Sequence, residues 1–135
     1  MNETCSICGC ELHRSGRYAT PDIEGRSHAT EHHFVAERFF GRSKNRSGDS
    51  RQPIFQESPW PVEGRKAVFC YDCHEELIHN PVYLPEDITN FAILVKRLQL
   101  NEEVKEASKD KLARRIELLH EVIKRGIRSL LDVPR

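Results

Sequence analysis

CYDCHEELIH, residues 70–79, is the stretch of sequence on which the predicted fold depends. It begins with two cysteines separated by two residues, and a matching pair, Cys5 and Cys8, lies near the start of the chain. This spacing lets a tight turn direct two thiolates at one ion, and two such turns supply the four ligands of a tetrahedral Zn²⁺. We therefore predict a structural zinc site formed by Cys5, Cys8, Cys70 and Cys73, with a long segment looped out between the two pairs.

The composition indicates a small domain that needs reinforcement. The chain has 135 residues, of which 38% are hydrophobic and 31% are charged, so only a small core is expected. It shows neither a bilayer-length apolar run nor a secretory signal, and we expect a cytoplasmic protein without a membrane partner. Disulfides are rare in that compartment, which favours metal binding by the clustered cysteines. The fifth cysteine, Cys10, is expected to act as a small buried hydrophobic residue.

A second motif, EHHFV at residues 31–35, places two adjacent histidines before an apolar pair. Phe34 and Val35 favour a strand that begins near residue 30, and a short helix or loop should follow it up to Gly41. A second short strand is predicted over residues 65–69. Because successive side chains on a strand face opposite sides, His32 and His33 reach one site only through a turn or twist.

A helix is predicted to start at about Asp72 or Cys73 and to end before Pro81. His74 follows the last cysteine directly, so the zinc turn would determine its direction. His79 lies five residues further on, which is about 140° around an α-helix from His74. We expect His79 to reach the same ion as His74 only if the end of the helix unwinds.

Two further helices are predicted in the C-terminal part of the chain. One opens at Pro85, and the other covers residues 108–131 with an apolar stripe at spacings of three and four. They could pack as a helical hairpin or bind a second copy of the chain to form a homodimer. We therefore predict an α+β protein with one domain over residues 1–82 and a two-helix extension over residues 83–135.

The order of these motifs resembles that of the HNH endonucleases, the ββα-metal or His-Me finger class, in the version with a four-cysteine zinc site. The resemblance covers residues 5–80. It implies a small zinc-stabilised ββα-metal finger that hydrolyses phosphodiester bonds in DNA, preferably duplex DNA. It also implies that His33 is the general base. His32, His74 and His79 would bind the catalytic divalent cation, which could be Mg²⁺, Mn²⁺, Ni²⁺ or Zn²⁺.

The chain departs from the family pattern at two positions. Arg65 or Lys66 stands where the family commonly has an Asn that orients the base, and Ala36 replaces a frequent Pro. A backbone carbonyl could orient His33 instead. Basic side chains could contact phosphate, and those of residues 42–53 could equally belong to a solvated loop. The candidates for phosphate contacts are Arg42, Lys44, Arg46, Arg65 and Lys66.

Two alternatives without catalysis compete with the nuclease interpretation. The chain could be a zinc-binding module for nucleic-acid or protein interaction that carries a degenerate HNH finger. It could also hold one larger structural zinc cluster with mixed cysteine and histidine ligands. The formal net charge of zero, from 21 basic and 21 acidic residues, gives no broad basic surface and lends weight to the first alternative.

Overall fold

The computed structural model describes residues 3–16, 29–41, 47–49, 52–62, 64–102 and 108–134. The protein is a small α+β protein with a two-stranded antiparallel sheet and several helices. It divides into two compact units. The N-terminal unit comprises Met1–Glu37 and Ser58–Val82, and the helical unit comprises Arg38–Glu57 and Tyr83–Arg135. The segment Arg38–Glu57 thus groups with the C-terminal helices, although the sequence-based division placed it in the first domain.

The sheet of the N-terminal unit consists of β1, Ala29–His33, and β2, Lys66–Cys70. Their register places His33 opposite Lys66 and Ala29 opposite Cys70. β1 ends before Phe34 and Val35, which had been predicted to lie within the strand. The partner strand explains this: the N–H of Arg65 donates to the Val62 carbonyl at 3.0 Å and closes a turn. The described residues just before Arg65 belong to this turn and do not extend the ladder with β1.

The turn that carries Cys5 and Cys8 is closed by its own backbone. The N–H of Cys5 donates to the Cys10 carbonyl at 2.9 Å, and the N–H of Gly9 donates to the Cys5 carbonyl at 3.0 Å. Gly9 has a φ of 78°, a left-handed conformation that glycine adopts without steric cost. The N–H of Ser6 donates to the Val68 carbonyl at 3.0 Å, which attaches the turn to β2.

Cysteine makes up half of a cluster of buried, described residues in the N-terminal unit. The cluster consists of Cys5, Leu12, Ala67, Phe69, Cys70 and Cys73. Among these six, Leu12 and Phe69 are the large apolar side chains. The thiol groups therefore occupy positions that a larger domain would fill with aliphatic residues, which makes this unit dependent on what the thiols bind.

A helix follows β2 at the predicted place, but its winding differs from the expected one. Asp72–Ile78 is a π-helix, in which hydrogen bonds connect residue i to residue i+5. Its end is closed by Asn80, whose side-chain amide donates to the carbonyls of Glu75 and Glu76, each at 3.0 Å. These bonds satisfy carbonyls that lack partners at a helix end, and Pro81 then prevents continuation.

The predicted C-terminal helices are confirmed as α1, Pro85–Arg97, and α2, Ser108–Leu131. Asp87 accepts a hydrogen bond from the N–H of Leu84 at 2.9 Å and so caps the start of α1. Much of the apolar stripe of each helix is exposed, at Ile88, Leu98, Ile123, Ile127 and Leu130, so the two stripes are not buried against each other. Pairing with a second copy stays a prediction. Within the described residues, no helix is both long and apolar enough to cross a membrane.

Candidate metal centres

The four predicted cysteines form one cluster in the N-terminal unit. The Sγ atoms of Cys5, Cys8, Cys70 and Cys73 all lie within 4.8 Å of one another. The Sγ atoms of Cys8 and Cys70 are 3.8 Å apart, far longer than a disulfide bond of about 2.05 Å. Zinc–sulfur bonds of about 2.3 Å at a tetrahedral angle place two sulfurs about 3.8 Å apart. The four-cysteine cluster thus has the donor set and the spacing to hold a zinc ion.

Backbone N–H groups point at two of these sulfurs. The N–H of Ile7 donates to Sγ of Cys5, and the N–H of Cys73 donates to Sγ of Cys70, each at 3.4 Å. Burial opposes the ionisation of Cys5, but backbone hydrogen bonds, that of Cys70 first, outweigh it and lower the pKa of the thiol to about 6. The protein therefore stabilises the thiolate form of Cys5. Burial raises the pKa of the Cys73 thiol instead, so a metal bound there would have to displace its proton.

Cys10 differs from the four cysteines of the cluster. It is partly buried and packs against the core of the N-terminal unit. Burial is the main cause that raises the pKa of its thiol to about 12, so it stays protonated at neutral pH. The pKa does not separate Cys10 from Cys73, because burial also raises the pKa of the Cys73 thiol. Cys10 differs because it is not among the four cysteines whose sulfurs converge, and its role as a small hydrophobic residue stays a prediction.

A second cluster in the same unit consists of three histidines. His32, His74 and His79 each offer a ring nitrogen, and these atoms lie within 4.8 Å of one another. Nδ1 of His32 and Nε2 of His74 are 3.2 Å apart. Two ligands with metal–nitrogen bonds of about 2.0–2.1 Å stand about 2.8–3.4 Å apart at angles between 90° and tetrahedral. The same distance suits an N–H···N hydrogen bond, so the pair is arranged for either interaction.

The sheet presents His32 to this cluster through its buried face. His32 lies opposite Ala67 in the register, and residues directly opposite in an antiparallel pair share a face. Phe69, two residues after Ala67, stacks on the ring of His74 at 27° and tilts against that of His32, with centroid distances of 6.1 Å to both. Burial, followed by the nearby His74, lowers the pKa of His32, which keeps its imidazole neutral and able to bind a metal.

The π-helix brings His79 to the same place as His74. In an α-helix two residues five apart would diverge by about 140°. With hydrogen bonds between i and i+5, the second residue instead lies one turn beyond the first and on its side. The ring centroids of His74 and His79 are accordingly 4.6 Å apart. The expectation that the helix end must unwind was wrong, because it is the wider winding of the whole segment that joins the two histidines.

His33 lies at the end of β1, on the side of the sheet opposite to that of His32. It is not part of the three-histidine cluster. Its Nε2 is 3.4 Å from Oε1 of Glu37, the first residue of the 3₁₀ helix Glu37–Phe40. The nearby backbone carbonyl of Arg65 accepts a hydrogen bond from the N–H of Phe34 at 3.1 Å. Glu37 was not predicted from the sequence as a site residue. Its position four residues after the proposed base could have indicated a carboxylate that contacts His33.

Of the five candidate phosphate contacts, Arg65 and Lys66 lie within the described residues. Arg42, Lys44 and Arg46 lie outside the described residues. The ammonium group of Lys66 is 2.7 Å from a carboxylate oxygen of Glu31, whose other oxygen is 3.6 Å from Arg14. Lys66 is therefore held in an ion-pair network on the exposed side of the sheet. Arg65 is exposed at the same end of β2.

No family model, no curated protein and no solved structure matches this chain. The properties of the two clusters therefore rest on the geometry of the chain itself.

Proposed function

We propose that this protein is a metal-dependent endonuclease that hydrolyses phosphodiester bonds in DNA. The observation that carries the proposal is the convergence of His32, His74 and His79. A fourth histidine, His33, follows His32 at the end of β1 and faces the other side of the sheet, so it would act from the end of the strand. Three protein ligands leave positions on a divalent cation open for water and a phosphate oxygen. A cation held there would stabilise the charge that develops on the phosphate and on the departing oxygen.

His33 is the proposed general base. A neutral imidazole accepts a proton from water near neutral pH, and its exposed fraction of 36% leaves it accessible to substrate. The carboxylate of Glu37, 3.4 Å from the ring, restricts its orientation. Glu37 would thus do for His33 what the absent Asn does in the HNH pattern.

The four-cysteine cluster supports the site without taking part in the chemistry. Cys70 is the last residue of β2, and Cys73 lies in the π-helix directly before His74. A zinc ion on these thiolates would hold the end of the strand to the start of the helix. Because His32 belongs to the strand paired with β2, this attachment would also maintain the distance between His32 and His74.

DNA is the proposed substrate, and Arg65 is the described cation best placed to contact its backbone. Arg65 is exposed and precedes β2, and it is one residue from the position that pairs with His33. Lys66 would have to exchange Glu31 for a phosphate oxygen to contribute. A chain with a formal net charge of zero predicts modest, strongly salt-sensitive DNA affinity rather than tight non-specific binding.

The test is cleavage of supercoiled plasmid by protein loaded with one zinc ion per chain, with added Mg²⁺, Mn²⁺, Ni²⁺ or Zn²⁺. Wild type should nick or linearise the plasmid, and His33→Ala should reduce the rate by about two orders of magnitude or more while zinc content is unchanged. His120→Ala, which removes an exposed histidine of α2, is the matched control and should cleave normally.

Two outcomes would contradict the proposal in different ways. Cleavage by His33→Ala at the wild-type rate would refute the assignment of the base. Failure of the wild type to cleave DNA or RNA with any of these cations would favour the non-catalytic zinc-binding interaction module instead.

A further inference from the structure

The carboxylate of Glu75 lies against both histidines of the π-helix. Oε1 of Glu75 is 3.3 Å from Nδ1 of His74, and Oε2 is 3.5 Å from Nδ1 of His79. One side chain therefore faces the same ring position of two candidate metal ligands, and each of its oxygens serves a different ring.

The ring of His74 gives this contact its significance. His74 is 8% exposed, and its Nδ1 is buried and has no hydrogen-bond partner among the described residues. Its other nitrogen, Nε2, is 3.2 Å from Nδ1 of His32. A buried polar atom without a partner is destabilising, and the carboxylate of Glu75, 3.3 Å away, can supply the partner after a small adjustment.

We propose that Glu75 is the positioning residue of the three-histidine cluster and directs His74 and His79 to bind a divalent transition-metal ion through Nε2. A neutral imidazole has one protonated nitrogen and one with a free lone pair. A carboxylate beside Nδ1 favours the proton on that nitrogen and leaves Nε2 as the donor atom to the metal. It also restrains the orientation of both rings.

The winding of the helix is what permits one carboxylate to serve both rings. Glu75 follows His74 directly and precedes His79 by four residues. The ring centroids of the two histidines are only 4.6 Å apart because the segment is a π-helix. In an α-helix the rings would diverge, and a single side chain could not face both. The group of converging ligand atoms does not include a Glu75 oxygen, which agrees with support of the ligands rather than direct coordination.

The inference rests on the metal site of the proposed function, but its test does not require nuclease activity. Protein with one zinc ion on the cysteines is titrated with Co²⁺, whose absorption distinguishes imidazole from thiolate coordination. Glu75→Ala should weaken Co²⁺ binding at the three-histidine cluster by about 10–100-fold. Glu76→Ala, the matched control in the same helix, should bind as wild type does. Glu75 is 40% exposed, so its removal leaves no buried cavity.

Nitrogen NMR of the imidazole rings gives a second readout that a general loss of stability would not produce. In the metal-free cluster, His74 and His79 of the wild type should carry their proton on Nδ1, and in Glu75→Ala this preference should be lost. Co²⁺ affinity of Glu75→Ala within twofold of the control, or unchanged tautomers, would overturn the proposal. Wild type that binds no second ion would overturn it as well. A protein that binds Co²⁺ as expected but cleaves no nucleic acid would refute the nuclease function alone.

Discussion

Replacement of Cys70 by serine should release zinc and unfold the N-terminal unit. Cys70 is 5% exposed, ends β2 and lies 3.8 Å, sulfur to sulfur, from Cys8. It therefore belongs both to the four-cysteine cluster and to the small core. A serine hydroxyl is a poor zinc ligand, because zinc in structural sites is bound by thiolate or imidazole.

The magnitude follows from the composition of the core. Leu12 and Phe69 are the two large apolar residues in the described cluster that contains the cysteines, and their burial contributes about 1.5–3 kcal/mol each. A structural zinc site contributes about 10–16 kcal/mol of apparent free energy near pH 7. The metal thus exceeds the apolar term severalfold. We expect Cys70→Ser to lose the free energy of unfolding almost entirely in this unit, rather than the 1–3 kcal/mol of an ordinary core substitution.

The measurement combines zinc content with hydrogen exchange of the β1 and β2 amides. Wild type should bind one zinc ion per chain and protect these amides, whereas Cys70→Ser should bind none and exchange them rapidly. Cys10→Ser is the matched control, because Cys10 is partly buried and outside the four-cysteine cluster. Protected amides in metal-free Cys70→Ser would contradict the dependence of this unit on zinc, and equal zinc loss by Cys10→Ser would contradict the assignment of the four ligands.

Three further changes test the winding of the helix, the packing of the core and the environment of the proposed base. Deletion of Leu77 shortens the spacing from His74 to His79 to four residues, which lie about 40° apart on an α-helix. Co²⁺ affinity at the three-histidine cluster should therefore stay within about tenfold of wild type. Loss of binding would show that the cluster requires the π-helix itself. Phe69→Ala should lower the free energy of unfolding by about 3–5 kcal/mol in urea titrations of the zinc-bound protein, and a loss under 1 kcal/mol would contradict its place in the core. Glu37→Gln should slow plasmid cleavage about tenfold with unchanged Co²⁺ affinity, since it affects only the proposed base; an undiminished rate would remove Glu37 from the mechanism.

The two cysteine pairs illustrate what could be predicted from the sequence. Each pair is separated by two residues, and this spacing produces a local turn whose geometry depends little on the rest of the fold. Two such turns have few ways to satisfy their thiols other than to meet at one ion. The positions of α1 and α2 were predictable for a similar reason, because capping residues and apolar periodicity act within a few turns of the same segment.

The three-histidine cluster needed the tertiary structure. Its members come from β1 and from the π-helix, and their approach depends on the register that places His32 opposite Ala67. The sequence also could not predict that this helix is a π-helix, because the same kinds of residues form α- and π-helices. Only the observed i to i+5 winding explains why His79 meets His74 despite the spacing of five.

By itself the sequence determined the four-cysteine cluster, the order of the elements and the identity of the histidines. The tertiary structure alone decided where β1 stops, which face each adjacent histidine takes, and which carboxylates stand beside them. Glu37 lies 3.4 Å from His33, and Glu75 lies 3.3 Å from His74. The physical reason is the distance along the chain over which each interaction acts. Two ligands separated by two residues form a local turn. Strand ends, ring orientations and carboxylate contacts depend on hydrogen bonds and packing between segments distant in the chain.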